Sequence, residues 1–129
     1  MSLHQLEREL RDRDWLEADR STASLLVKLD THGAAELDFQ HLKAVDQLWL
    51  EHSQNHFGLS VQRDIYVLYQ GDLSWNELSY ENMCKRVGWL GKDGKWRSWS
   101  NLIFNVNAPR GHLPGRGEWL MQGIAFQYL

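Results

Sequence analysis

Along residues 1–87 apolar side chains recur every three or four positions, the spacing that places them on one face of a helix. Leu3, Leu6 and Leu10 predict a first helix. Asp14, with Glu17 three residues later, resembles a capping box that opens a second, whose inner face carries Trp15, Ala18, Thr22, Leu25, Leu26 and Leu29. Gly33 interrupts the pattern. Asp38 then offers an N-cap to a third helix with Leu42, Val45, Leu48 and Trp49 on its inner side, ended by the polar run Ser53-Gln54-Asn55-His56. Ser60 predicts the cap of a fourth helix, Val61 through Tyr69, with the stripe Val61, Ile65, Leu68 and Tyr69 and a stop at Gly71. Ser74-Trp75-Asn76-Glu77 is a second capping-box match and leads into Leu78, Met83 and Val87.

Beyond Val87 the texture changes. Gly88-Trp89-Leu90-Gly91-Lys92-Asp93-Gly94-Lys95-Trp96 has closely spaced glycines and a central Asp-Gly, which predicts a loop or a short hairpin. A helical turn is expected at Ser100 to Phe104. The prolines and glycines of Ala108-Pro109-Arg110-Gly111-His112-Leu113-Pro114-Gly115 forbid regular pairing, and the apolar stretch Glu118 to Leu129 is expected to pack back on the body. The expected fold is all-α: a single helical domain over residues 1–129 with two long loops in its C-terminal third.

The 129 residues suit one domain, and a hydrophobic fraction of 43% can build a sizeable core. No stretch approaches the roughly 18 consecutive apolar residues that a membrane span requires, and the start shows no secretory signal, so a soluble protein is expected. A lone cysteine, Cys84, forms no internal disulfide; it reads as small buried filler in a reducing compartment.

Charge is unevenly spread. Residues 1–81 hold 7 of the 14 Lys and Arg and 15 of the 17 Asp and Glu, a balance of −8; residues 82–129 hold the other 7 cations against Asp93 and Glu118, a balance of +5. The C-terminal third is therefore the natural place for an anion.

Four of the seven tryptophans, Trp89, Trp96, Trp99 and Trp119, fall in that basic third. Trp15, Trp49 and Trp75 sit at helix-face positions and are read as core. Trp89, Trp96 and Trp99 are interleaved with Lys85, Arg86, Lys92, Lys95 and Arg97, where no periodic face accounts for them. Aromatic rings beside cations suit a flat π-rich ligand with negative groups; the plainer alternative is that the indoles pin the loop to the domain. Single-stranded nucleic acid would use similar chemistry, but the overall charge is negative and no nucleic-acid-binding motif is present, so no nucleic-acid partner is expected.

His52 and His56 have the i,i+4 spacing of a metal pair, but the polar run predicts that the helix ends between them and the glutamate of the zinc-protease motif is missing, so no metal site is assigned. His112 could serve as an axial ligand to a metalloporphyrin; between glycines and prolines, with Pro114 beside it, it is read as holding the loop's shape. No nucleophile with a base, paired carboxylates in a recognisable frame or phosphate-loop signature occurs, so no catalytic residue is assigned.

Taken in order, these segments resemble the genomes-uncoupled-four family of tetrapyrrole-binding proteins. The likeness rests on Asp14-Trp15-Leu16-Glu17-Ala18-Asp19 with Thr22, Val45-Asp46-Gln47-Leu48-Trp49 and His56-Phe57-Gly58-Leu59-Ser60-Val61-Gln62. It continues through Arg86-Val87-Gly88-Trp89, Gly94-Lys95-Trp96 and Asn107-Ala108-Pro109-Arg110-Gly111-His112-Leu113-Pro114, and so covers nearly the whole chain.

The resemblance implies a helical domain shaped like a cupped hand, with an apolar palm under loops that close over a porphyrin. It implies a non-enzymatic regulator that binds protoporphyrin IX and magnesium-protoporphyrin IX and stimulates magnesium chelatase, in chlorophyll synthesis, through that enzyme's large porphyrin-binding subunit. By the same resemblance Trp89 would stack on or flank the macrocycle and Arg110 would meet a propionate. Val45, Phe57 and Val61 would line the palm, with Leu102 and Phe104 closing from the other loop. A monomer is expected, in the cyanobacterial cytoplasm or peripheral to thylakoid membranes, without the additional N-terminal helical domain of some members. Leu59 stands where the family usually has phenylalanine, and Cys84-Lys85 where it usually has Gly-Asp. These departures motivate the alternative of a divergent bilin-binding or protein-interaction module of the same fold.

Overall fold

The computed structural model describes residues 2–115 and 125–129. Five helices carry the chain: α1 (Leu3–Arg11), α2 (Trp15–Leu26), α3 (Leu42–Ser53), α4 (Leu59–Gln70) and α5 (Glu77–Val87). Ser2 caps α1 by accepting the Gln5 N–H, and Asp14 caps α2 by accepting that of Glu17. The domain is mostly helical, in agreement with the periodicity, and no helix among the described residues is long and apolar enough to cross a membrane.

Local chemistry moves several boundaries. Leu29, expected on α2, lies in strand β1 (Val27–Leu29), which pairs antiparallel with β2 (Ala35–Leu37) in the register Val27 to Leu37 and Leu29 to Ala35. Asp30 closes that hairpin: its carboxylate accepts the N–H groups of His32 and Ala34, and Gly33 supplies the positive φ of the turn. Asp38 caps a short 3-10 turn, Phe39–His41, that runs into α3. Helix α4 starts at Leu59 after Gly58, and its cap is Asp46 of α3, whose Oδ1 accepts the Ser60 N–H at 2.9 Å. Helix α5 is capped by Asn76, not Ser74.

The inner face of α4 is rotated from the predicted one. Leu59, Val61, Gln62, Ile65 and Tyr66 are buried, whereas Leu68 is 74% exposed and Tyr69 lies on the surface. Gln62 can occupy an inward position because its amide finds partners there, as described below. Leu78 on α5 is likewise exposed, and Met83, Cys84 and Val87 form that helix's inner face.

Two apolar clusters result. The first joins α1, α2 and α3 around Trp15 and Trp49, stacked with centroids 6.0 Å apart, with Phe57 edge-on to both. The Trp49 N–H donates to Thr22 Oγ1 at 2.8 Å, so the indole is buried without an orphan donor. The second joins α4 and α5 with Trp89, Leu90, Leu102 and Phe126. Phe104 and Leu129 pack against both, which places the 102–104 segment and the chain's last residue at the seam.

Candidate functional site

The C-terminal loops are held by side chains that bond backbone, with His112 at the centre. Its ring is fully buried; Nε2 accepts the Ile103 N–H at 2.9 Å, and Nδ1 lies 2.6 Å from the Val87 carbonyl. Because Ile103 can only donate, the proton must sit on Nδ1, which donates to Val87. Burial pushes the His112 pKa below the ordinary histidine value; the Val87 hydrogen bond opposes this and the nearby Arg97 charge adds to it. A neutral imidazole thus joins the end of α5 to the 102–104 segment.

Further ties surround it. The Trp89 indole N–H donates to the His112 carbonyl at 2.8 Å, and Gln62 Nε2 donates to the carbonyls of Gly111 and Pro114 at 3.0 and 2.9 Å. His56 Nε2 bonds the Ala108 carbonyl, while the Gly111 N–H donates to the His56 carbonyl. Gly88 and Gly111 both have positive φ, and a Cβ on Gly111 would stand 3.0 Å from Ile65 and Val87 side-chain carbons. The positive φ of Gly111 and this tight approach to α4 and α5 together favour glycine there.

The residues singled out in the sequence divide between layers. Trp89, expected to stack on or flank a macrocycle, is 4% exposed and belongs to the second cluster with Val61 and Leu102. Its N–H needs an acceptor, and the His112 carbonyl supplies one only from inside the loop. Val45 and Phe57 are fully buried in the first cluster, and Phe57 is wedged against Trp15 and Trp49. Phe104 is half-buried at the seam, edge-on to Trp99 at 5.2 Å. Arg110 is exposed, His112 and Pro114 are buried, and the Leu113–Pro114 peptide is cis. The lock therefore brings together the segments that carry Trp89, Leu102, Phe104 and Arg110, while Val45 and Phe57 stay in the interior of the helical body.

The remaining tryptophans separate. Trp75, read as core, is exposed because the capping register of α5 begins at Asn76 and leaves Trp75 outside the helix. Trp96 is exposed on a hairpin closed by a Leu90–Trp96 bridge. Trp99 is half-buried on α2, its N–H donated to Asp19 Oδ1 at 3.0 Å and the Arg20 guanidinium over its ring. Trp119 lies outside the described residues.

Asp19 and Gln62 went unassigned in the sequence, yet both fasten loops to helices. Asp19, fully buried on α2, also accepts the Gly115 N–H at 2.7 Å. Each sits on the apolar face of its helix, four residues after Trp15 and one after Val61, and a polar residue on such a face is the signal that could have found it.

Lys85, Arg86, Lys92, Lys95, Arg97 and Arg110 are all exposed, and among the described residues none of them forms an ion pair. These six exposed cations are thus open to an anion. His52 and His56 line a 380 Å³ cleft with Arg13 and Val106, and α3 ends at Ser53 between them. Among the described residues no group of three metal-ligating side chains converges.

A family model described as GUN4-like matches residues 1–127. The chain is 30% identical over 125 residues to the Pyropia yezoensis protein ycf53, covering 88% of this chain and 50% of that one. It is 27% identical over 128 residues to the chloroplastic tetrapyrrole-binding protein of Arabidopsis thaliana, covering 84% and 46%. The chain spans about half the length of these curated relatives. The structure of GUN4 from Chlamydomonas reinhardtii superposes with a TM-score of 0.75 at 27% identity, covering 98% of this chain and 90% of that one.

Proposed function

This chain belongs to the GUN4-like family, and from that premise we propose that it binds a tetrapyrrole against the loop assembly held by His112. One observation carries the proposal: a single buried imidazole, bonded to Val87 and Ile103, ties together the loop segments that bear Trp89, Phe104 and Arg110. Phe104 and Trp99 at the seam supply the apolar face that a flat macrocycle needs, and Arg110 supplies a cation for a propionate. Trp89, Leu102 and Val61 form the packed layer behind that face, and Val45 and Phe57 brace the palm from the adjoining cluster.

The ligands are protoporphyrin IX and magnesium-protoporphyrin IX, each a flat ring with carboxylates. The protein holds and transfers the porphyrin for magnesium chelatase, acting through that enzyme's large porphyrin-binding subunit. Metal insertion belongs to the chelatase.

Side-by-side titrations of protoporphyrin and an open-chain bilin, followed by tryptophan quenching and the Soret band, test the ligand. Saturable porphyrin binding at micromolar concentration, about −8 kcal/mol, is expected. Absence of saturation, or a preference for the bilin, overturns it. Chelatase turnover with and without the protein tests the partner separately: unchanged turnover removes the chelatase role and leaves pigment binding standing.

A further inference from the structure

The helix ends set one cleft apart. Helices α1, α3, α4 and α5 are each followed by a residue in the left-handed region. After α4 and α5 that residue is glycine, Gly71 and Gly88; after α1 and α3 it is Arg13, at φ 58°, and Gln54, at φ 55°. With Asn55 these are the non-glycine residues of positive φ among the described residues. A side chain is strained there because its Cβ crowds the backbone, and glycine would relieve the strain. Arg13 and Gln54 nonetheless line the same 380 Å³ cleft, together with His52, Ser53, His56 and Val106. Strain kept at two positions that face one cavity points to a use for their side chains.

Capping is not that use. Main-chain N–H groups already bond the carbonyls of Arg8, Glu9 and Leu10 at the end of α1 and those of Leu50 and Ser53 at the end of α3, and the Ser53 hydroxyl bonds that of Trp49. The partial negative charge of the two helix ends is thus largely spent, and the full charge of Arg13 governs the cleft. Arg13 and Gln54 are exposed and His52 is half-buried, and the three side chains have no hydrogen-bond or ion-pair partner among the described residues. His56 is committed to the Ala108 carbonyl, and no Asp or Glu lines the cleft. What remains is a guanidinium, a carboxamide and an imidazole, a set of donors for an anion. A carboxylate offers two oxygens in one plane; donors from two separate chain segments suit a tetrahedral oxyanion better.

We propose that this cleft binds the phosphate group of a small soluble molecule, with the Arg13 fork on two oxygens and Gln54 and His52 on the others. Asp12 and Asp14 on either side of Arg13 in the chain, and Glu51 beside His52, are exposed and repel an extended anionic surface such as a bilayer. None of the lining residues belongs to the proposed pigment face, and the site does not depend on that reading.

The test titrates inorganic phosphate into the full chain at constant ionic strength and follows the arginine and histidine side-chain resonances. A saturable shift at Arg13 and His52 is expected, with a midpoint of about 1 mM and a stronger response than to acetate. Arg13→Gly should weaken phosphate binding about tenfold or more and Gln54→Gly about threefold, while each raises the thermal midpoint by about 3 °C through relief of strain. A purely structural side chain would not give this opposition of binding and stability. Protoporphyrin should leave the phosphate titration unchanged. A shift that does not saturate or that chloride reproduces, tighter binding of acetate, or a lowered thermal midpoint in Arg13→Gly would each overturn the proposal. So would competition by protoporphyrin, which would assign the cleft to the pigment, or a preference for phosphatidic acid vesicles over free phosphate.

Discussion

The helical body and the C-terminal loop assembly bury their central side chains by different means. In the body, Trp15, Trp49 and Phe57 pack between α1, α2 and α3, and the polar Trp49–Thr22 tie is an accessory to apolar contact. In the assembly, residues 88–115 contain hardly any regular structure, and His112, Gln62, Trp89, His56 and Asp19 satisfy backbone groups that helices would satisfy among themselves. Apolar packing spreads its contribution over many contacts. A polar lock concentrates it in a few bonds whose loss leaves buried groups without partners. The two regions should therefore fail differently.

The largest effect is expected in the body. Trp49→Ala removes a fully buried indole and should cost about 3–5 kcal/mol, read by denaturant unfolding as a loss affecting all helices together. His112→Ala leaves the Val87 carbonyl and Ile103 N–H unpaired, at about 1–3 kcal/mol for each buried group. Here hydrogen exchange should rise over residues 103–115 while the circular dichroism stays helical. If this variant melts the helices as fully as Trp49→Ala, the two regions are one cooperative unit and the contrast fails.

A smaller effect follows from proton counting. Below the ordinary histidine pKa of about 6.5 the unfolded chain takes up a proton that the fold, with His112 held neutral, refuses. This contribution to stability is therefore complete above about pH 6.5 and declines as pH falls toward the depressed folded value, by at most about 1.4 kcal/mol per unit. His112→Gln should lose that component of the slope; an unchanged profile would remove His112 from the account. The smallest effect on stability belongs to Arg110→Ala, within about 0.5 kcal/mol because the side chain is exposed, whereas porphyrin binding should weaken about tenfold or more. Parallel thermal melts and pigment titrations separate the two.

The same contrast explains what the sequence made legible. Helices α1 to α5 follow from a 3.6-residue period, and Asp14 caps α2 from its expected place. Misplacements came where a remote group did the work: Asp46 of α3 caps α4, and Gln62 holds an inward position through carbonyls some fifty residues away in the chain. The bend of Val27–Leu37 into a hairpin depends on the Asp30 side chain, which helical periodicity does not register. In the site, Gly-His-Leu-Pro marks where the loop must be irregular, but nothing in it names Val87 or Ile103 as the partners of His112. Trp89 and Trp96 share one glycine-rich segment and one basic surrounding, and only the third dimension sends the first inward to His112 and the second outward to Tyr80.

Whether the locked assembly binds an anionic macrocycle is tested most directly by titrating protoporphyrin and its dimethyl ester against the wild-type chain and Arg110→Ala. The wild type should bind the free acid about tenfold more tightly than the ester, and the variant should bind the two alike. Equal affinity of the wild type for acid and ester, or a preference that survives undiminished in Arg110→Ala, would contradict the account.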